Sequence, residues 1–354
     1  MVQFRQDKMT EKERRTALLN RQPVDRVTLD LMSSAFAAAM VGYSKVEIYE
    51  DPEKAYLAKS RTHEMFGALE RISYTGGVPG AQDFGSEVKI STSEYAMAPS
   101  LLRPAVQSEE DVRKLELPDA KTAGTLRLRM RFSKLQAEHG LPVTFFLSGI
   151  VSNVGLITGI ERMCRWMIKR PELVHILCRM VTDFNVAVTE YWVDTFGPER
   201  VIPMIGAPTE ANQIISPKQF KEFCLPYQKE LHERIFTTGV KHVYIHICGE
   251  QNLNLPHWAQ VPMGDPGEVS FGHEVDLDTA SQYFPNDIIM GNVEPAVIQT
   301  GTPEEVYELS RICVEKGKKH RAGFILAPGC EMPAKAPPHN VWMLRKAIND
   351  FGWY

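Results

Sequence analysis

Eight short segments rich in β-branched and aromatic residues recur near residues 27, 71, 142, 201, 242, 268, 288 and 323. Most are separated by stretches with the 3.6-residue apolar spacing of helices. Thr302-Pro303-Glu304-Glu305 shows how such a helix opens, with a capping threonine and a proline in the first turn. Strand and helix alternating eight times predict an α/β fold, a (β/α)₈ barrel of the TIM class formed by one domain over residues 1–354. The polar interval 79–119 interrupts the rhythm and is expected to be an insertion lying over the barrel. A doubly wound sheet is the alternative, because the first two strands are irregularly spaced. No dinucleotide fingerprint or phosphate-binding loop stands at a strand-to-helix junction.

In such a barrel the chemistry gathers at the C-terminal ends of the strands. Those ends carry Glu210 after the fourth strand and His246 and Cys248 on the fifth. His273 and Glu274 end the sixth, Asn292 and Glu294 the seventh, and Cys330 follows the eighth. The fifth segment, 242–249, reads HVYIHICG; residues two apart on a strand share a face, so His246 and Cys248 project together. A second Gly-Cys pair, Gly329-Cys330, closes the segment FILAPGC. Two thiolates and an imidazole are donors that zinc prefers, and three protein ligands leave a coordination position open for chemistry. A structural zinc would call for a fourth ligand, for which Glu210, Glu274 or a substrate atom are candidates. The bland alternative is a core histidine with two buried thiols.

Glu210, Glu274 and Glu294 can serve as a displaceable ligand or a proton donor, and His273 as a further polar group at the mouth. Cys164, Cys178, Cys224 and Cys313 lie in helical segments and read as small packing residues. The aromatic residues Tyr74, Phe84, Phe145, Phe146, Trp258 and Phe271 fall near the expected mouth. Any that line a pocket would suit an apolar or aryl substrate.

Forty Lys and Arg against 44 Asp and Glu argue against a nucleic-acid or anionic-membrane partner. No apolar run reaches membrane-spanning length, and the charged first 20 residues lack the apolar centre of a signal peptide, so a cytoplasmic protein is expected. Assembly into a homo-oligomer is left open.

The set formed by His246-Ile-Cys-Gly249, Gly291-Asn292-Val293, Gly301-Thr302-Pro303-Glu304 and the closing run to Cys330 resembles the zinc-dependent corrinoid methyltransferases of the uroporphyrinogen decarboxylase superfamily. Ser216-Pro217 with Phe220, Phe223, Pro226 and Tyr227 adds to the likeness, which runs from about residue 142 onward. It implies a barrel with Zn²⁺ on His246, Cys248 and Cys330. It also implies methyl transfer between a small molecule and the cobalt of a corrinoid (cobalamin) on a separate corrinoid-binding protein. Glu210, His273 and Glu274 are then the candidate catalytic residues and Asn292 the candidate cofactor contact. The decarboxylase branch fits poorly: the region where it carries arginines reads Asp30-Leu-Met-Ser-Ser-Ala-Phe. Thiol-using relatives carry an Asp-Pro pair where this chain reads Gly206-Ala-Pro-Thr-Glu210. That departure favours a methyl ether donor, aryl in type, over transfer to a thiol such as coenzyme M, and so favours O-demethylation.

Overall fold

The computed structural model describes residues 4–69, 71–96 and 98–354, and in it the β-rich segments lie side by side as parallel strands. In chain order the strands are β1 (Thr28–Leu29), a small antiparallel pair β2 (Glu87–Lys89) and β3 (Ser100–Arg103), then β4 (Val143–Ser148), β5 (Val201–Ala207), β6 (Tyr244–Ile247), β7 (Glu268–Phe271), β8 (Ile288–Val293) and β9 (Phe324–Pro328). The main sheet runs β1-β9-β8-β7-β6-β5-β4, parallel at every step. Its first strand pairs with its last and the order never reverses. That is the winding of a barrel; a doubly wound sheet reverses at a switch point.

The second strand is where sequence and structure part. Among the described residues, the segment expected at 71–74 forms no ladder. It is tied to β1 by the Leu69 amide donating to the Leu29 carbonyl at 2.7 Å, and to β4 through Gln136. The buried Gln136 amide donates to the carbonyls of Ile72 and Thr144 at 2.6 and 3.1 Å, doing with one side chain what a ladder would do with backbone. A glutamine-to-leucine change at 136 should therefore lower stability by about 1–2 kcal/mol, because a buried acceptor left without its donor keeps its desolvation penalty. A lowered urea midpoint at unchanged slope would show it.

The insertion expected over the barrel is present as β2, β3 and a short helix, Glu109–Lys114. The small-residue stretch after β1 is helical, Ala35–Val41. Pro226 is tolerated in the helical stretch after β5 because Phe220–Cys224 widens into a π-turn just before it, at the level where proline cannot donate. The helix Pro303–Gly317 opens with Thr302 and Glu305 in a reciprocal capping box. No described helix is long and apolar enough to cross a membrane.

Strand alternation sorts side chains into two sets. Ile205, Ile245, Ile247, Val269, Phe271 and Ile289 pack outward against helices in the main core. Ile202, Tyr244, Ile288, Met290, Ile325 and Ala327 form a second cluster that fills the barrel, with Met204 packed against it. Parity places His246 in the same inward file as Tyr244, one step nearer the C-terminal end. Register sets Ser270 of β7 directly beside it.

Candidate metal centre

The His246 ring is buried, and its Nδ1 lies 2.9 Å from the Ser270 hydroxyl. That contact fixes the ring plane and leaves Nε2 buried and without a hydrogen-bond partner among the described residues. Cys248 leaves the end of β6, and Cys330 lies two residues beyond β9. Although β7 and β8 separate those strands, the two sulfurs are 3.6 Å apart. One donor atom from each of His246, Cys248 and Cys330 falls within 4.8 Å of the other two, and no other such cluster occurs among the described residues.

Glycines make this convergence possible. Gly249 turns the chain through a left-handed conformation at φ +75°. A Cβ at Gly329 would lie 2.7 Å from the His273 backbone nitrogen, so only glycine lets the β9 loop close over the β7 loop. The repeated pairing of glycine with cysteine thus has a steric cause.

The donor set fits a zinc ion. An orphaned buried imidazole nitrogen needs a partner, and two thiolates on a tetrahedral zinc at ~2.3 Å would sit roughly 3.8 Å apart, close to the spacing found. As thiols alone the pair share a proton. The Cys248 hydrogen bond, then the nearby imidazole, holds Cys330 down to about 4, while its thiolate pushes Cys248 up.

Around these ligands opens a cavity of about 370 Å³, with Cys248, Cys330 and His246 in its wall. Phe146, Tyr49 and Tyr244 give it aromatic surface; Leu156, Met204 and Val78 give it aliphatic surface. Ala98 and Pro99, from the insertion, close one side. A larger groove of about 740 Å³ lies at the opposite end of the barrel, against Val24, Pro285 and Gly323, and carries no convergent donor set.

Other residues singled out from the sequence are placed less directly. The Glu210 carboxylate accepts from the Ser152 amide at 3.0 Å and from the Ser152 hydroxyl, so it caps the helix Ile150–Thr158 and stands outside the cavity wall. Burial raises its pKa, and the Ser152 bonds oppose the shift. The Asn292 amide donates to the carbonyls of Gly272 and Val275 at 2.9 and 2.6 Å, holding the β7 loop in place; it too is absent from the wall. In that loop Glu274 Oε2 is buried without a hydrogen bond, 3.4 Å from His273 Nδ1, and its charge contributes to raising Cys248. His273 Nε2 stands 4.0 Å from Glu294. His273, Glu274 and Glu294 therefore form a chain beside the metal ligands, of which Glu274 is the member felt electrostatically at Cys248.

Of the six aromatics picked from the sequence only Phe146 lines the cavity. Phe145 stacks on Trp192, Tyr74 on Phe132, and Phe84, Trp258 and Phe271 contact other core rings. The sequence reading did not pick out Ser270, whose role depends on strand register. Nor did it pick out the charged groups Asp30, Lys59, Arg71 and Glu331. Only Glu331, adjacent to Cys330, carried a local signal.

The chain is 27% identical over 350 residues to a methylcobamide:CoM methyltransferase MtbA of Methanosarcina acetivorans, covering 97% of this chain and 98% of that one. A methylated-thiol–coenzyme M methyltransferase of Methanosarcina mazei is 29% identical over 213 residues, 59% of this chain and 53% of that protein. Among solved structures, a methyltransferase from Methanosarcina mazei superposes with a TM-score of 0.81 at 20% identity, covering 97% and 99% of the two chains, a likeness of fold. The family model for uroporphyrinogen decarboxylase (URO-D) matches residues 10–351, and the chain belongs to that family.

Proposed function

We propose that this chain is a zinc-dependent methyltransferase that moves a methyl group between a small molecule in the 370 Å³ cavity and the cobalt of a corrinoid carried by a partner protein. The observation that carries the reading is the open three-donor cluster of His246, Cys248 and Cys330 in the wall of that cavity. The full-length relatives, named as corrinoid methyltransferases, support it.

Zinc, when bound, supplies Lewis acidity that stabilises negative charge on the oxygen or sulfur losing or gaining the methyl group. The residues of the chain do the rest. The two cysteines would hold the ion with two negative charges, which match its formal charge. Ser270 fixes the imidazole by its Nδ1, leaving Nε2 to join the Cys248 and Cys330 sulfurs in holding the ion. Phe146, Tyr49 and Tyr244 exclude water and seat an organic group. Asn292 holds the loop that carries Glu274, whose charge acts on Cys248, with His273 beside it as a second group for moving a proton.

The small molecule is a methyl ether, aryl in type. Pro208 and Thr209, in the segment lacking the Asp-Pro pair of thiol-using relatives, line the cavity. The second reading, methyl transfer to a thiol, is favoured by the names of the relatives, which act on coenzyme M. One experiment separates them. The purified protein is assayed for zinc and mixed with cobalt(I) cobalamin and a panel of methoxyaromatics, and separately with methylcobalamin and a thiol, while the cobalt absorption is followed. Zinc near one per chain with methylcobalt appearing from one ether is the expected result. Consumption of methylcobalamin by a thiol, with every ether inert, would replace it by the second reading. Folded protein that retains no zinc would overturn both.

Removing the outer partner of a metal-bound histidine weakens metal affinity by about 10–100-fold. Ser270→Ala should fall in that range when zinc is titrated against a chromophoric chelator.

A further inference from the structure

Cys248 stands one residue past the end of β6, where the ladders to β5 and β7 both stop at Ile247. The residue after it is Gly249, at φ +75°. Glycine restrains its own backbone less than any other residue, so neither a ladder nor the next residue fixes the way the chain leaves Cys248. A buried side chain from the following loop reaches back to it. Gln251 Nε2 donates to the Cys248 carbonyl at 3.2 Å, while Gln251 Oε1 accepts from Trp258 Nε1 at 3.1 Å and from Asn254 Nδ2 at 3.3 Å. An indole can only donate and a peptide carbonyl can only accept, so a primary amide in this orientation answers both. Gln251, Asn254 and Trp258 are all fully buried. The Gln251 carbonyl accepts the Asn254 and Leu255 amides at 2.8 and 3.0 Å, which roots it at the start of the short helix Leu255–Trp258. Asn254 Nδ2 also donates to the Glu210 carbonyl at 2.9 Å, so the same group of side chains is anchored in the loop after β5.

We infer that Gln251 is the positioning residue for Cys248: by holding the Cys248 carbonyl it fixes the backbone of that residue and so aims its sulfur at Cys330 and His246. It supports this ligand from the backbone side, as Ser270 supports His246 from the side chain. Gln251 is absent from the cavity wall and acts only through Cys248. A residue of similar volume without the amide would leave the buried Trp258 Nε1 and the Cys248 carbonyl unmatched and the carbonyl free to turn. The inference rests on the proposed function for the reading of Cys248 as a zinc ligand. It deepens that reading by tying the placement of the ligand to one buried glutamine and, through Asn254, to the loop of Glu210.

Metal binding compared with folding in the full chain tests this. Gln251→Met keeps the volume and removes both halves of the amide. Zinc affinity of the folded variant, read by competition with a chromophoric chelator, should fall by about 10–100-fold, the range for a lost outer partner of a metal ligand. With cobalt(II) in place of zinc, the thiolate-to-cobalt charge-transfer band and the visible bands should change in position or intensity, because they follow the placement of the sulfurs. Gln251→Asn, one methylene shorter, should behave like Gln251→Met and carries the test if the methionine variant does not fold. Trp258→Phe leaves the Nε2 donor and the Asn254 contact in place and should cost clearly less affinity. A glutamine needed only for packing would lower the melting temperature of the metal-free protein while zinc affinity and the cobalt spectrum stayed those of the unaltered chain. That result, or an equal loss of affinity in Trp258→Phe, would overturn the inference and leave the metal site standing. Unaltered, folded protein that binds neither ion would instead take down the proposed function on which the inference rests.

Discussion

Replacing Cys330 by serine should abolish zinc retention and methyl transfer while leaving the fold in place. The residue lies in the loop after β9, outside every strand ladder, and is half-buried. Serine is nearly isosteric and no backbone hydrogen bond is lost, so the change in stability should be within about 1 kcal/mol. The metal loses far more. A serine hydroxyl does not ionise near neutral pH as a thiol beside a metal does, so the set falls from three strong donors to His246 and Cys248. Zinc per chain should drop from near one to a small fraction after dialysis against a mild chelator. Turnover should fall by more than the roughly 100-fold that loss of an outer partner can cost. Cys248→Ser should behave alike, since the two sulfurs face each other at 3.6 Å. A melting temperature that collapses together with zinc loss would mean a structural site, contrary to this expectation.

Arg71→Met should be the most destabilising single change in the cavity wall, at about 3–5 kcal/mol, the usual cost of removing one partner of a buried ion pair. Arg71, Asp30 and Glu268 have side chains only 1–3% exposed, and one guanidinium serves both carboxylates. Arg15 reaches Glu268 at 3.5 Å, but among the described residues no second cation forms an ion pair with Asp30. Without Arg71 the Asp30 charge is left, among the described residues, with the Met32 amide as its one remaining hydrogen-bond donor. The pH dependence gives a second check. Burial raises the Asp30 pKa, but Arg71 and the other favourable contacts outweigh it and hold the pKa below the ordinary value of 3.8. A carboxyl with a depressed folded-state pKa contributes stability that is present above the unfolded pKa and lost as pH falls through the folded one. The variant lacks that contribution, so its deficit should be largest at neutral pH and narrow below about pH 4. Urea titrations at pH 7 and about pH 3, on the falling side of the unfolded carboxyl range, would measure both. A deficit equal at the two values would mean that packing, not charge, had been lost. Arg71→Lys should fall between, since it keeps the charge but not the three-way hydrogen bonding.

Much of this protein follows from local pattern. The alternation of β-rich and helical segments predicted the barrel, because secondary structure and its buried face are encoded by residues a few positions apart. The spacing of His246 and Cys248 put both at the same end of one strand for the same reason, and the residues around them already resembled the corrinoid methyltransferases. The tertiary structure decided the rest. Cys330 comes from 82 residues beyond Cys248, and only the closing of β9 toward the β1 side of the ring, with glycine at 329, brings the sulfurs together. Glu210 and Asn292 stand where the pattern put them, at strand ends. Yet their side chains satisfy a helix terminus and a loop, demands invisible until those elements pack. Where a second strand was expected, no ladder forms, and the Gln136 amide, from the helix before β4, donates to the Ile72 carbonyl. Asp30, Lys59 and Arg71 lie in the N-terminal region where the family resemblance was weakest, and folding carries them to the wall facing Glu331. Periodicity reports which way a side chain points; what it meets depends on register and loop path, which are set by contacts between residues far apart in the chain.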